Sequence, residues 1–151
     1  GASRARSFAK VLNAPIAIID KRRPQPNVAE VQNVIGDVKG KVAFIVDDLV
    51  DTAGSITESA SILKKFGAKE VYAIATHGVL SGPAIERIKK SELKELVITN
   101  TISLPDEKKL AKIKVISIGP ILAETIRRSH QGLPMGVVYE DLYKKLEKKI
   151  Q

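Results

Sequence analysis

Cysteine is absent from all 151 residues, which excludes disulfides, thiolate-bound metals and cysteine nucleophiles. Tryptophan is absent too, methionine occurs once, and aromatic residues make up only 4% of the chain. No apolar run approaches the length of a membrane span, and the first dozen residues lack the apolar core of a secretion signal. The expected setting is therefore the cytoplasm, with no membrane partner. What remains is 44% apolar and 28% charged, the balance of an ordinary globular chain long enough for a real core. The formal net charge of +8 suits a protein that handles polyanions. Phosphorylated metabolites and nucleic acid both fit that charge. The lysines crowd the C-terminus without interleaved arginine and aromatic platforms, so nucleic acid is not the expected partner.

One run organises the rest: Val42-Ala43-Phe44-Ile45-Val46-Asp47-Asp48-Leu49-Val50-Asp51-Thr52-Ala53-Gly54-Ser55-Ile56. Its first five residues are continuously apolar, which predicts a strand buried on both faces of a parallel sheet, ending in the two carboxylates. A short loop of small and polar residues follows, and then a helical pattern through Ile56, Ala60, Leu63 and Phe66. A helix N-terminus offers unpaired N–H groups and partial positive charge, so an anion settles there. Gly54 permits close backbone approach. Thr52 and Ser55 add hydroxyl donors, while Asp47 and Asp48 only accept, so their partners are hydroxyl groups or a cation. A molecule with phosphate at one end and a pair of hydroxyls at the other fits, and a sugar phosphate is the simplest. The alternative is a ligand-free helix capped by Thr52 or Ser55. Three carboxylates with Thr, Gly and Ser in one turn exceed what a cap requires.

Elsewhere the pattern is that of an α/β protein. Ala5, Phe8, Ala9 and Leu12 line one face of a first helix. Ile16 to Ile19 reads as a strand, followed by a charged loop, Asp20 to Asn27, whose prolines forbid helix. Val28 to Gly40 predicts an antiparallel hairpin at the sheet edge. Val71–Thr76, Leu96–Thr99 and Val115–Ile118 are the further strands. Gly82-Pro83 and Pro120 open helices, and a lysine-rich connector runs from Pro105 to Lys114. His77, at a strand end, is expected to be held by backbone, and His130 to be solvated at a helix C-terminus. Residues 1–132 are expected to form one domain. Residues 133–151 are expected to add an amphipathic helix through Tyr139, Leu142, Leu146 and Ile150.

The run Val46 to Ile56 resembles the phosphoribosyl pyrophosphate (PRPP) loop of type I phosphoribosyltransferases. Ala14 to Pro24, Asn33 to Val38, Ala75 to Ala84 and Leu122 to Arg128 all resemble one branch of that family, the ribose-phosphate pyrophosphokinases. The likeness runs from Gly1 to about Gly132 and corresponds to the carboxyl-terminal half of such an enzyme. It implies a mostly parallel twisted sheet flanked by helices on both faces, with ligand at the carboxyl ends of the strands. It also implies transfer of the diphosphoryl group of Mg-ATP to the C1 hydroxyl of ribose 5-phosphate, giving PRPP and AMP. By the same resemblance Lys21 and Arg23 occupy the two working positions of a catalytic loop, while Arg22 matches a position without such a role. Asp47, Asp48, Asp51, Thr52, Ala53, Gly54, Ser55 and Arg23 would bind ribose 5-phosphate. The family's Mg2+ ligands and most of its ATP site would lie upstream of Gly1, so none is assigned in this chain. A homo-oligomer, or pairing with an amino-terminal half, is implied. The C-terminal tail departs from the family's usual ending, which by the resemblance contributes to allosteric nucleotide control. Two other readings keep the same loop: a PRPP-consuming phosphoribosyltransferase, and a PRPP-sensing regulatory subunit without turnover.

Overall fold

Continuous apolar runs alternating with amphipathic segments produce strand–helix–strand units in the computed structural model, which describes residues 2–22 and 31–150. The elements in order are α1 (Ala2–Leu12), β1 (Ile18–Arg22), β2 (Val31–Ile35), β3 (Val42–Val50), α2 (Gly54–Lys65), β4 (Glu70–Gly78), α3 (Ala84–Lys90), β5 (Glu95–Thr99), a 3-10 turn (Asp106–Lys108), β6 (Ile113–Ile116), α4 (Gly119–His130) and α5 (Gly136–Ile150). Strands β3, β4, β5 and β6 form a four-stranded parallel sheet in sequence order. Successive right-handed crossovers stepping one way across a sheet put their helices on one face. Accordingly α2 and α3 touch each other, and Ile56, Ala60, Leu63, Ala84 and Ile88 share one buried cluster with Val71, Ala73, Leu96 and Ile98. Ile88 and Leu96 are 0% exposed, and burial of such a side chain is worth about 1.5–3 kcal/mol. A second helical group is chained together, α1 lying against β3 and α5, and α5 against α4. Its apolar surface is less covered: Ile126 on α4 is 68% exposed.

The predicted α/β class with a parallel sheet and flanking helices is what the chain forms. The hairpin differs in detail. Strand β2 pairs antiparallel with β1, in a separate two-stranded sheet with Ile18 opposite Ile35 and Lys21 opposite Gln32. The turn at Asp37 to Gly40 does exist, with Lys39 N–H donating to Asp37 Oδ1 at 3.2 Å. It feeds the parallel sheet rather than closing a hairpin, because Gly40 N–H bonds the Gly67 carbonyl at 2.8 Å and Lys69 N–H bonds the Lys41 carbonyl at 2.8 Å. Val28 to Glu30 lie outside the described residues.

Candidate functional site

Strand β3 does not stop at its carboxylates. Asp47 faces Ala75 in the ladder, and pairing continues through Leu49 with His77 and Val50 with Gly78. The ladder is made by backbone, so a polar side chain that can reach water at the sheet's end does not interrupt it. Asp47 and Asp48 are therefore the sixth and seventh of the nine residues of β3, and the turn from Asp51 to Ala53 carries the chain into α2.

Among the described residues no side chain caps the N-terminus of α2. Ala53 precedes it in a left-handed conformation (φ 58, ψ 11) and is buried, while Thr52 and Ser55 are exposed. The hydroxyls of Thr52 and Ser55 hold no hydrogen bond to another described residue. This overturns the capping alternative and leaves both free for a ligand. The first helical hydrogen bond is Thr57 N–H to the Ala53 carbonyl at 3.2 Å. The amides of Gly54, Ser55 and Ile56 thus have no acceptor within the helix. A non-glycine residue in the left-handed region costs about 1–2 kcal/mol, and strain of this kind collects at functional turns.

The turn is held from behind. Ser81, after β4, donates its N–H to the Asp51 carbonyl at 3.1 Å and its hydroxyl to Asp51 Oδ1. Val79 and Leu80 N–H groups both bond the Val50 carbonyl, at 3.0 and 3.1 Å. Arg87 Nη1 donates to the Thr52 carbonyl at 3.0 Å. One oxygen of the Asp51 carboxylate is therefore engaged in the frame of the turn.

Asp47 and Asp48 share one partner that sequence reasoning missed. Arg4 of α1 reaches Asp47 Oδ1 at 3.3 Å and Asp48 Oδ2 at 3.1 Å. Desolvation pushes the Asp48 carboxyl up, but the Arg4 charge and neighbouring N–H donors outweigh it and hold the group below the usual carboxylate value. Ion-paired with one arginine, both aspartates present acceptor oxygens to hydroxyl donors. Among the described residues no three His, Asp or Glu side chains converge as a metal site requires.

Lys21 stands on β1 rather than in a loop, and Arg23 lies outside the described residues. His77 is held by a side chain instead of backbone: its Nδ1 lies 2.9 Å from Thr101 Oγ1. That hydroxyl also donates to the Thr76 carbonyl at 3.1 Å. His130 is exposed in the last turn of α4, as expected.

Comparison with known proteins converges on one group. The model of the phosphoribosyl synthetase-associated domain matches residues 5–140. The chain is 62% identical over 137 residues to ribose-phosphate pyrophosphokinase of Caldanaerobacter subterraneus subsp. tengcongensis, covering 91% of this chain and 43% of that protein. It is 60% identical over 131 residues to ribose-phosphate pyrophosphokinase of Bacillus subtilis, covering 87% of this chain and 41% of the relative. Among solved structures, phosphoribosylpyrophosphate synthetase from Mycobacterium smegmatis superposes with a TM-score of 0.76 at 38% identity, over 85% of this chain and 42% of that one. The chain thus spans less than half the length of the relatives it matches.

Proposed function

We propose, from the premise that the chain belongs to the phosphoribosyl synthetase-associated domain family, that it supplies the ribose 5-phosphate site and catalytic loop of a cytoplasmic ribose-phosphate pyrophosphokinase. The reaction is ribose 5-phosphate plus Mg-ATP to PRPP plus AMP. The anomeric oxygen forms a bond to the β-phosphorus of ATP, the bond from that phosphorus to the α-phosphate's bridging oxygen breaks, and the hydroxyl proton is lost. Binding of ATP falls to residues in the part of the relatives that this chain does not cover. Magnesium enters as part of the Mg-ATP substrate, and no step is assigned to a metal held by this chain.

The observation that carries the proposal is the helix end with three amides and two hydroxyls unengaged among the described residues, a few residues after an aspartate pair held by Arg4. Backbone N–H groups from Asp51 to Ser55, with the Thr52 and Ser55 hydroxyls, hold the 5-phosphate. Asp47 and Asp48 accept from the ribose 2- and 3-hydroxyls, which take over from Arg4. Lys21 and Arg23 close over the transferring group and offset its charge. Phosphoryl transfer asks little of a protein beyond such positioning and charge stabilisation. One donor aimed at developing charge is typically worth about a hundredfold or more in rate. Residues 1–132 act as the phosphoribosyltransferase-like unit, and 133–151 as a helical tail. The protein works as an oligomer of whole chains, a reading supported by apolar side chains left open to solvent, such as Phe44, Ile116 and Ile126.

Product identity tests this. Full-length protein given ribose 5-phosphate and Mg-ATP is expected to yield PRPP and AMP in equal amounts by phosphorus NMR. ADP as product would mean single phosphoryl transfer. Consumption of added PRPP with a free base would mean a phosphoribosyltransferase.

A further inference from the structure

Four successive peptide carbonyls in the proposed phosphate turn each meet a donor. The Asp51 carbonyl takes Ser81 N–H at 3.1 Å, and the Thr52 carbonyl takes Arg87 Nη1 at 3.0 Å. The Ala53 carbonyl takes the Thr57 hydroxyl at 2.8 Å and its N–H at 3.2 Å. The Gly54 carbonyl lies 3.1 Å from the same hydroxyl. A trans peptide is planar, with its C=O and N–H pointing in opposite directions. Fixing the Thr52 carbonyl toward Arg87 therefore turns the Ala53 N–H the other way, and Ser81 does the same for the Thr52 N–H. A left-handed Ala53 followed by right-handed helix gathers such amides into the concavity that binds anions.

Of these donors only Arg87 carries charge. It pairs with no carboxylate among the described residues, while Glu86, its neighbour, is taken by Lys90. A Cβ added at Gly54 would stand 3.3 Å from Arg87 Nη1, so the guanidinium lies against the first residue of α2. There it adds a full positive charge to the partial one of the helix end. Arg87 also lines an open cleft of about 400 Å³ with Thr57, Ser61 and Lys90.

We propose that Arg87 is the positioning residue of the phosphate turn: it locks the Thr52–Ala53 peptide so that its N–H faces the ligand, and it backs that amide with positive charge. The inference rests on the reading of Asp51–Ser55 as a phosphate site. Full-length protein should be compared with Arg87→Met, which keeps length but loses charge and donors, and with Arg87→Lys. Arg87→Met is expected to raise the KM for ribose 5-phosphate about tenfold or more, with the KM for ATP unchanged and the melting midpoint little moved. Arg87→Lys should recover part of the loss. Ser55→Asp is the control for the site itself. If Ser55→Asp abolishes ribose 5-phosphate binding while Arg87→Met leaves it within twofold, the role given to Arg87 is wrong and the site stands. If neither substitution changes binding, the phosphate turn is misassigned and this inference falls with it. If Arg87→Met lowers the melting midpoint and raises both KM values together, with no recovery in Arg87→Lys, Arg87 is merely structural and the inference is overturned.

Discussion

Gly78 stands where the fold and the candidate site meet, and replacing it with alanine is the sharpest test of how they are joined. It is the last residue of β4 and lies opposite Val50, one residue before the turn. A Cβ at position 78 would stand 2.5 Å from Ile98 Cδ1, 3.2 Å from its Cγ2 and 3.4 Å from its Cβ. Carbon atoms settle at about 3.5–4.0 Å, so roughly 1 Å must be found. Ile98 is 1% exposed and has nowhere open to go. Forcing it off its rotamer costs about 0.5–1.5 kcal/mol, and overpacking of this kind totals about 1–3 kcal/mol. At about 2–4 °C per kcal/mol for a chain of this size, Gly78→Ala should lower the melting midpoint by about 2–12 °C. The alternative relief, a lifted end of β4, would strain the bonds from Val79 and Leu80 to Val50 and weaken ribose 5-phosphate binding as well. Ile98→Val removes Cδ1, the nearest atom, and alone should cost about 0.5–1.5 kcal/mol. In the double variant much of the Gly78→Ala loss should return, giving a coupling of about 1 kcal/mol in a double-mutant cycle followed by circular dichroism. Strict additivity, or a Gly78→Ala midpoint indistinguishable from the parent's, would refute the packing argument.

Three further outcomes are expected. Ser55→Asp puts a like charge where phosphate should sit, and calorimetry should show ribose 5-phosphate affinity falling by an order of magnitude or more; unchanged affinity would remove the phosphate turn from the account. Lys21→Ala should lower turnover of the full-length protein about a hundredfold or more while ribose 5-phosphate still binds, and equal losses of both would make Lys21 a binding residue. Hydrogen bonds from Arg127 and Arg128 hold the Glu124 carboxyl down to about 2. A depressed carboxyl stabilises the fold above its ordinary value near 4.5, and that contribution is lost as pH falls toward about 2. Urea midpoints should therefore decline over that window, and less steeply in Glu124→Gln; parallel declines would dismiss the pairing as a source of acid sensitivity.

Much of the parallel sheet was legible because its strands are continuous apolar runs and its helices carry their apolar residues at helical spacing. Boundaries were harder wherever polar side chains lie on paired backbone. Asp47 and Asp48 look like an ending, yet the ladder runs to Val50. Lys21 and Arg22 look like loop, yet both pair across to β2. Thr52 and Ser55 have the composition of caps, but the left-handed Ala53 makes the entry to α2 without them. Arg4 and Arg87 were beyond reach for a different reason. They act on residues 43 and 35 positions away, and nothing in the local sequence sets them apart from the other arginines.

The central claim is that the turn from Asp51 to Ser55 receives the phosphate of a sugar phosphate. At 16.4 kDa the chain suits amide NMR, and titration with ribose 5-phosphate observes those residues one by one. Saturable shifts at the Thr52, Ala53, Gly54 and Ser55 amides, absent with ribose and absent in Ser55→Asp, are predicted. Amides in the turn that stay still at saturating ligand, or that respond equally to ribose, would contradict the account.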